Sequence, residues 1–342
     1  MPKFPRSGRF RLTLCCLLAV LTCTTAAAAA PPPAPLRPPA ALVPATGFPM
    51  RIVAYVANSR SGTVSAFDVR LERPVSTLAV GKGPTGVGAA PDGSHAYVAN
   101  GRSNSVSFID TTSGKADATV PVGPSPYAAF PRRDGRQVLV ANWGGGTVSV
   151  IDTATRKVIA TPRAGELPHS VTALPDGTAY ITDSGSSDVT VLSPQNAPVA
   201  RIPVDAFPSG IASTVKGDRV YVANTGAGSI SVIDTATRKV TATWPVGKAP
   251  LSLGVSPDGR QLYAADSGAD ALLIVDTGTG RVLSRVSVGK KPQGVAVSPG
   301  GRRVWVTNEE SDTVSVIDPT VAKVRATLPT GDEPEGIAIT PV

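Results

Sequence analysis

The strand YVAN, or a close variant ending in Asn or Asp, returns seven times along the chain. It reads YVAN at 55–58 and 97–100, LVAN at 139–142, YITD at 180–183, YVAN at 221–224, YAAD at 263–266 and WVTN at 305–308. Successive copies start 42, 42, 41, 41, 42 and 42 residues apart. Ten residues after each closing Asn or Asp a second apolar run ends: VSAFD, VSFID, VSVID, VTVLS, ISVID, LLIVD and VSVID. A proline heading a small-residue strand recurs at Pro84, Pro126, Pro168, Pro208, Pro250, Pro292 and Pro334. The decapeptide SVIDTATRKV stands unchanged at 149–158 and 231–240 because it falls in this register. Its duplication is architectural rather than a doubled catalytic motif.

Each repeat holds four strand-sized runs separated by turn chemistry; in the last copy they read GVAVSP, RRVWVTN, TVSVID and KVRATLPTG. Val, Ile, Thr and Tyr suit a pleated sheet, and Pro-Asp-Gly and Asp-Thr-x-Thr segments suit tight turns. Four antiparallel strands in such a period make a propeller blade. A lone blade exposes two apolar faces, and neighbours arranged radially cover both. The sequence therefore predicts an all-β fold, a seven-bladed β-propeller of four-stranded antiparallel blades. The first repeat enters directly at its second strand, IVAYVAN, and the chain finishes on an unaccompanied inner strand, EPEGIAITPV. The C-terminal strand is expected to complete the N-terminal blade and close the ring.

YVAN, GTVSVIDTATRKV and the recurring VGxxPxGVAVSPDG pattern resemble the YVTN-repeat seven-bladed β-propellers of secreted, periplasmic and surface-layer proteins. The resemblance covers 51–342. It implies architecture far more than activity, since such chains are mostly repeat with divergent loops. Blade 4 departs most, with YITD and with Ser193 where the other copies carry Asp; blade 6 drifts, with YAAD and LLIVD.

The segment before the repeats has another character. MPKFPRSGRFR carries four basic residues and no acid, LTLCCLLAVL is a short apolar run, and TCTTAAAAA supplies small residues. That order is a secretory signal over 1–30, with cleavage near Ala28 to Ala30, and the apolar run is too short to span a bilayer. Export to a periplasmic, cell-surface or extracellular location follows as the expectation. Thr22 at the junction argues against a lipid anchor on Cys23. All three cysteines (Cys15, Cys16 and Cys23) lie in the signal, so the mature chain is expected to need no disulfide, thiolate nucleophile or Cys-ligated metal. Losing the signal's four basic residues lowers the formal charge from +8 to +4. PPPAPLRPPAALVPATG then reads as a stiff Pro/Ala linker over 31–50, ahead of a propeller over 51–342.

Few motifs carry recognisable chemistry. The chain has no GxxxxGK[ST], no HExxH, no GxSxG and no CxxC. Its two histidines, His95 and His169, fall by the repeat at opposite ends of the propeller and cannot share a metal. Turns at one end carry Arg132, Arg133, Arg136, Arg156, Lys157, Arg238, Lys239, Arg302 and Arg303. Acidic residues interleave with them and no aromatic platform accompanies them, which argues against nucleic acid; weak binding of nucleic acid or anionic surfaces stands as one alternative.

The opposite, loop-bearing face is where a rigid propeller varies and binds. The residue after each repeat proline should face the mouth of the central channel: Thr85, Tyr127, His169, Ser209, Leu251, Gln293 and Glu335. All seven differ. Tyr127, Trp143, His169 and Phe207 belong to blades 3 to 5 and are expected to form one aromatic patch, with Trp143, in the glycine-rich loop ANWGGGT, the strongest single candidate for ligand contact. Gln293 and Glu335 complete the candidate ligand-binding set.

Carboxylates also gather on this face. Glu166, Asp183, Asp266 and Glu335 are the candidates to hold calcium or another divalent cation, although no cofactor is required by the sequence. Asp183 and Asp266 occupy the Asn slot of the repeat, where a turn-holding role suffices. The expectation is a secreted, non-enzymatic binding scaffold, monomeric, engaging a protein, cell-envelope or small-molecule partner through the loop face. The alternative is a metal-dependent, lactonase-like hydrolase or lyase with its site at the channel mouth.

Overall fold

The period-two alternation of Val, Ile and Tyr becomes strands as expected. The computed structural model describes residues 52–341; the signal and linker expected over 1–50 lie outside the described residues. Seven four-stranded antiparallel sheets follow one another. Six are continuous in sequence, their inner strands starting at the repeat prolines from Pro84 to Pro292. The remaining sheet, blade 1, is built from both ends of the propeller. The strand Pro334–Ile339 pairs antiparallel with Val53–Asn58, which pairs with Thr63–Asp68 and then Arg73–Ala79. The C-terminal strand thus closes the ring, and each inner strand touches the inner strands of both neighbouring blades. The only helical element among the described residues is the single turn Glu309–Ser311, and no helix there is long and apolar enough to cross a membrane.

The core is divided among the seams. Seven apolar clusters occur among the described residues, one between each pair of adjacent blades. The Tyr slot of the repeat points into the following seam: Tyr55, Tyr97, Tyr180, Tyr221 and Tyr263, together with Leu139 and Trp305, are all buried. Trp305 packs on Phe67 across the seam between blades 7 and 1, ring centres 5.9 Å apart. Trp244, in an outer strand, lies where a side chain on Gly280 of the next blade would stand, its ring within 2.4 Å of that position. Such burial contributes roughly 1.5–3 kcal/mol per large side chain.

The repeat Asn is a structural residue. Asn58, Asn100, Asn142, Asn224 and Asn308 are fully buried. Each amide donates to hydroxyls five and seven residues on, as Asn100 does to Ser105 and Ser107. The inter-blade loop rests on it: a Cβ on Gly81 would lie 2.5 Å from Asn100 Cγ, and one on Gly331 would lie 2.8 Å from Asn58 Nδ2.

Candidate functional site

The inner strands leave a cavity of about 170 Å³ on the propeller axis. Below its mouth runs a layer of small residues, Gly86, Ala128, Ser170, Gly210, Ser252, Gly294 and Gly336. Glycine is demanded there by the close approach of neighbouring blades. A Cβ on Gly86, Gly210, Gly294 or Gly336 would fall 2.4–2.5 Å from a carbonyl oxygen of the adjacent inner strand. At the mouth itself stand Thr85, Tyr127, His169, Leu251, Gln293 and Glu335. Ser209, expected beside them, is instead fully buried and hydrogen-bonded to Thr225. Hydroxyls fix this ring across the seams: Thr85 donates to the Tyr127 carbonyl (2.8 Å), Thr182 to that of Ser209 (2.6 Å) and Thr307 to that of Glu335 (2.5 Å).

One half of the mouth is aromatic. Tyr127 and His169 lie 4.0 Å apart by ring centres, and Trp143 lies 5.9 Å from Tyr127, 5.6 Å from His169 and 6.3 Å from Phe207. The structure therefore brings these four residues together. Trp143 is half-buried among its neighbours, while Phe207 is exposed. Burial pushes the His169 imidazole down to about 3, so the ring is neutral near pH 7. Its Nδ1 is buried without a hydrogen-bond partner among the described residues.

The other half is charged. Glu309 accepts from Lys291 at 2.8 Å and from the Gln293 amide, and Arg60 pairs with Glu333. Between these pairs sits Glu335. Loss of solvent, followed by the nearby Glu309 and Glu333 carboxylates, pushes its carboxyl up to about 7, against the opposing influence of the Ser59 hydroxyl and the charge of Arg102. Tyr127, from blade 3, lines the same cavity as Glu335, and burial with the facing Glu335 and Glu309 carboxylates keeps that phenol protonated. A carboxyl titrating near neutrality is equipped for proton transfer.

The metal candidates do not converge. No group of three or more His, Cys, Asp or Glu able to hold a metal occurs among the described residues. Asp266 is fully buried and accepts from the backbone amides of Lys248 and Ala249 (3.1 and 2.8 Å), holding the loop between blades 5 and 6. Asp183 is equally buried and accepts from the Thr190 amide and hydroxyl at 3.1 and 2.6 Å. Glu166 is exposed on the rim near Asp183, and the carboxylates near Glu335 are Glu309 and Glu333, themselves engaged by Lys291 and Arg60. These four carboxylates do not come together as the ligand set of one divalent cation among the described residues.

Sequence reasoning missed Ser59, Arg102 and Lys291. Ser59 and Glu309 follow the repeat Asn by one residue, the slot Trp143 also fills. That slot reads Ser, Gly, Trp, Ser, Thr, Ser and Glu from blade to blade, a variation that points to Ser59, whereas Arg102 and Lys291 fall outside it.

A family model described as "Lactonase, 7-bladed beta-propeller" matches residues 52–327. Among solved structures, the chain is similar to a functionally unknown protein from Desulfotomaculum acetoxidans (TM-score 0.76, 15% identity, 84% of this chain and 99% of that one). It is also similar to a Bacteroides uniformis protein provisionally named a 6-phosphogluconolactonase (TM-score 0.71, 18% identity, 85% and 100%). A third likeness is to Kuenenia stuttgartiensis hydrazine synthase (TM-score 0.66, 21% identity, 73% and 88%). At these identities the structural likenesses establish the fold. No curated protein matches the chain. The family match overturns the expectation of a non-enzymatic binding scaffold and favours the lactonase-like alternative, because the lack of a familiar catalytic motif does not exclude catalysis. A site assembled from single residues of different blades leaves no local motif to read.

Proposed function

Because the chain belongs to the seven-bladed β-propeller lactonase family, we propose that it is a hydrolase that opens a lactone ring at the channel mouth. The observation that carries this reading is the position of Glu335, a half-buried carboxyl that lines the axial cavity together with Tyr127 and His169 and that burial raises to about 7. In its ionised form Glu335 takes a proton from water as the water oxygen attacks the lactone carbonyl. The C–O bond to the ring oxygen then breaks, and Glu335 returns the proton to that oxygen, giving the open hydroxy acid. The Tyr127–His169–Trp143 wall supports the flat face of the ring. No step is routed through a metal.

Lys291 and Arg60 are taken up by Glu309 and Glu333, and Glu335 adds a third carboxyl to that wall. An uncharged lactone suits this field better than a phosphorylated one of the kind named for the Bacteroides uniformis protein. Within the family we assign the chain the YVTN type of repeat and, on the character of 1–30, a place of action beyond the cytoplasm.

The test is hydrolysis of a panel of uncharged and phosphorylated lactones by the mature chain, followed by acid release, beside Glu335→Gln. Hydrolysis that falls roughly 10²–10⁴-fold in the variant supports the assignment, that being the usual contribution of a general base. A wild-type rate in Glu335→Gln removes Glu335 from the mechanism. Inactivity of the wild type towards every lactone overturns the reading.

A further inference from the structure

Two particular backbone slots recur at every seam on the turn face, away from the mouth. One is the bulge residue of the outer strand: Val75, Asp117, Ile159, Val199, Thr241, Leu283 and Arg325, blade by blade. The other is the left-handed residue of the turn before the outer strand of the next blade. Those turn residues, from Glu72 through Gly114, Arg156, Asn196, Arg238 and Gly280 to Ala322, all have positive φ.

Three of these turn residues are charged, and two of the three meet the opposite charge. Arg156 pairs with Asp117 at 2.5 Å. Glu72 pairs with Arg325 at 3.5 Å and with Arg303 at 2.7 Å. The seam between blades 4 and 5 breaks the pattern. Its turn residue is Arg238, but the bulge residue facing it is Val199, an apolar side chain left 44% exposed. No ion pair engages Arg238 or Lys216 among the described residues.

The missing acid is replaced by space. A cavity of about 270 Å³ opens here, lined by Thr178, Tyr180, Lys216 and Arg238, several times the roughly 30 Å³ share of one water. It opens in part because Thr178 stands where the seam between blades 2 and 3 has His95, itself 3.6 Å from Asp117. The Tyr180 ring lines the same cavity as Arg238. Asp176 also lines the cavity, but its carboxylate is occupied by the Thr178 amide and hydroxyl at 2.8 and 3.0 Å. A planar guanidinium with no acid of its own matches a carboxylate or phosphate in shape and charge.

We propose that this seam binds a small oxyanion, a carboxylate or a phosphate, held by Arg238 and Lys216 with Tyr180 as an added donor. The site stands apart from the channel mouth and does not depend on the hydrolase reading.

The experiment is thermal melting of the mature protein in sodium acetate, sodium phosphate and sodium chloride at one ionic strength, with Arg238→Gln and Val199→Asp alongside. A melting temperature raised by acetate or by phosphate over chloride supports the site and identifies which oxyanion it takes. Both variants should lose that rise, with affinity down about tenfold or more, the usual effect of removing a charged hydrogen-bond partner. Val199→Asp should melt no lower than wild type in chloride, because it rebuilds the pairing of Asp117 with Arg156 and so separates lost binding from lost folding. Equal melting of the wild type in all three salts overturns the proposal, as does a rise that survives both substitutions.

Discussion

Two carboxyls, Glu335 and Asp183, are held away from their ordinary proton affinity in the same sense. Burial raises Glu335 from 4.5 to about 7 and Asp183 from 3.8 to about 7. For both, the folded state favours the protonated form. Their ionisation therefore costs no native stability below the unfolded value, and the cost grows to its full size as pH rises through about 7. Asp183→Asn should accordingly gain stability over wild type as pH rises from about 4 to 8, with little difference at the acid end; melting curves across that range check it. A gap that does not change with pH would show that Asp183 is not titrating there. The same displacement gives activity its pH dependence. Under the proposed mechanism kcat/KM should climb with pH to a plateau above about 7, and the residual rate of Glu335→Gln should lack that limb.

The mouth wall supplies a second prediction at this scale. Trp143→Ala should raise KM more than it lowers kcat, since the ring supports substrate and takes no part in proton transfer. Steady-state kinetics on whichever lactone is hydrolysed will separate the two. The aromatic wall was legible because its members occupy slots that the repeat fixes, and a variable residue in a fixed slot announces itself. Glu335 was legible as a position. Its proton affinity was not, because that depends on Glu309, Glu333, Ser59 and Tyr127 meeting from different blades.

At the scale of the strand, the inner edge of each blade is governed by how near its neighbours come. Gly336→Ala would set a methyl 2.4 Å from the Thr85 carbonyl oxygen and 2.8 Å from the Gly86 Cα. Both obstacles are backbone and cannot turn aside. A loss of about 1–3 kcal/mol, the usual cost of overpacking, is expected in denaturant unfolding; an unchanged midpoint would show that the inner strands can separate freely. The strands, their turns and the Asn slot could be read from spacing, because each depends on contacts inside one repeat. The bulge and the left-handed turn residue face each other only across a seam. Nothing in the local sequence couples Val199 to Arg238, so the cavity between blades 4 and 5 could not be seen there.

Over the whole molecule, the ring is held shut by one six-residue strand. Deleting the last eight residues removes nearly all of that strand, uncovers the edge of Val53–Asn58 and takes Ile337 from the seam between blades 7 and 1. The loss should reach several kcal/mol, a large share of the roughly 5–15 kcal/mol that holds a typical domain, and the truncated chain should lose its cooperative melt. Wild-type melting of that variant would contradict closure by this strand. The sequence by itself determined the blade count, the strand order within each blade and the split blade that closes the ring. It could do so because a 42-residue period records local hydrogen bonding and alternating burial. Only the tertiary structure decided where a proton-transfer group stands and which cation lacks an acid. Those properties belong to residues from different blades, and the field and solvent at each site exist only once the ring has brought them together.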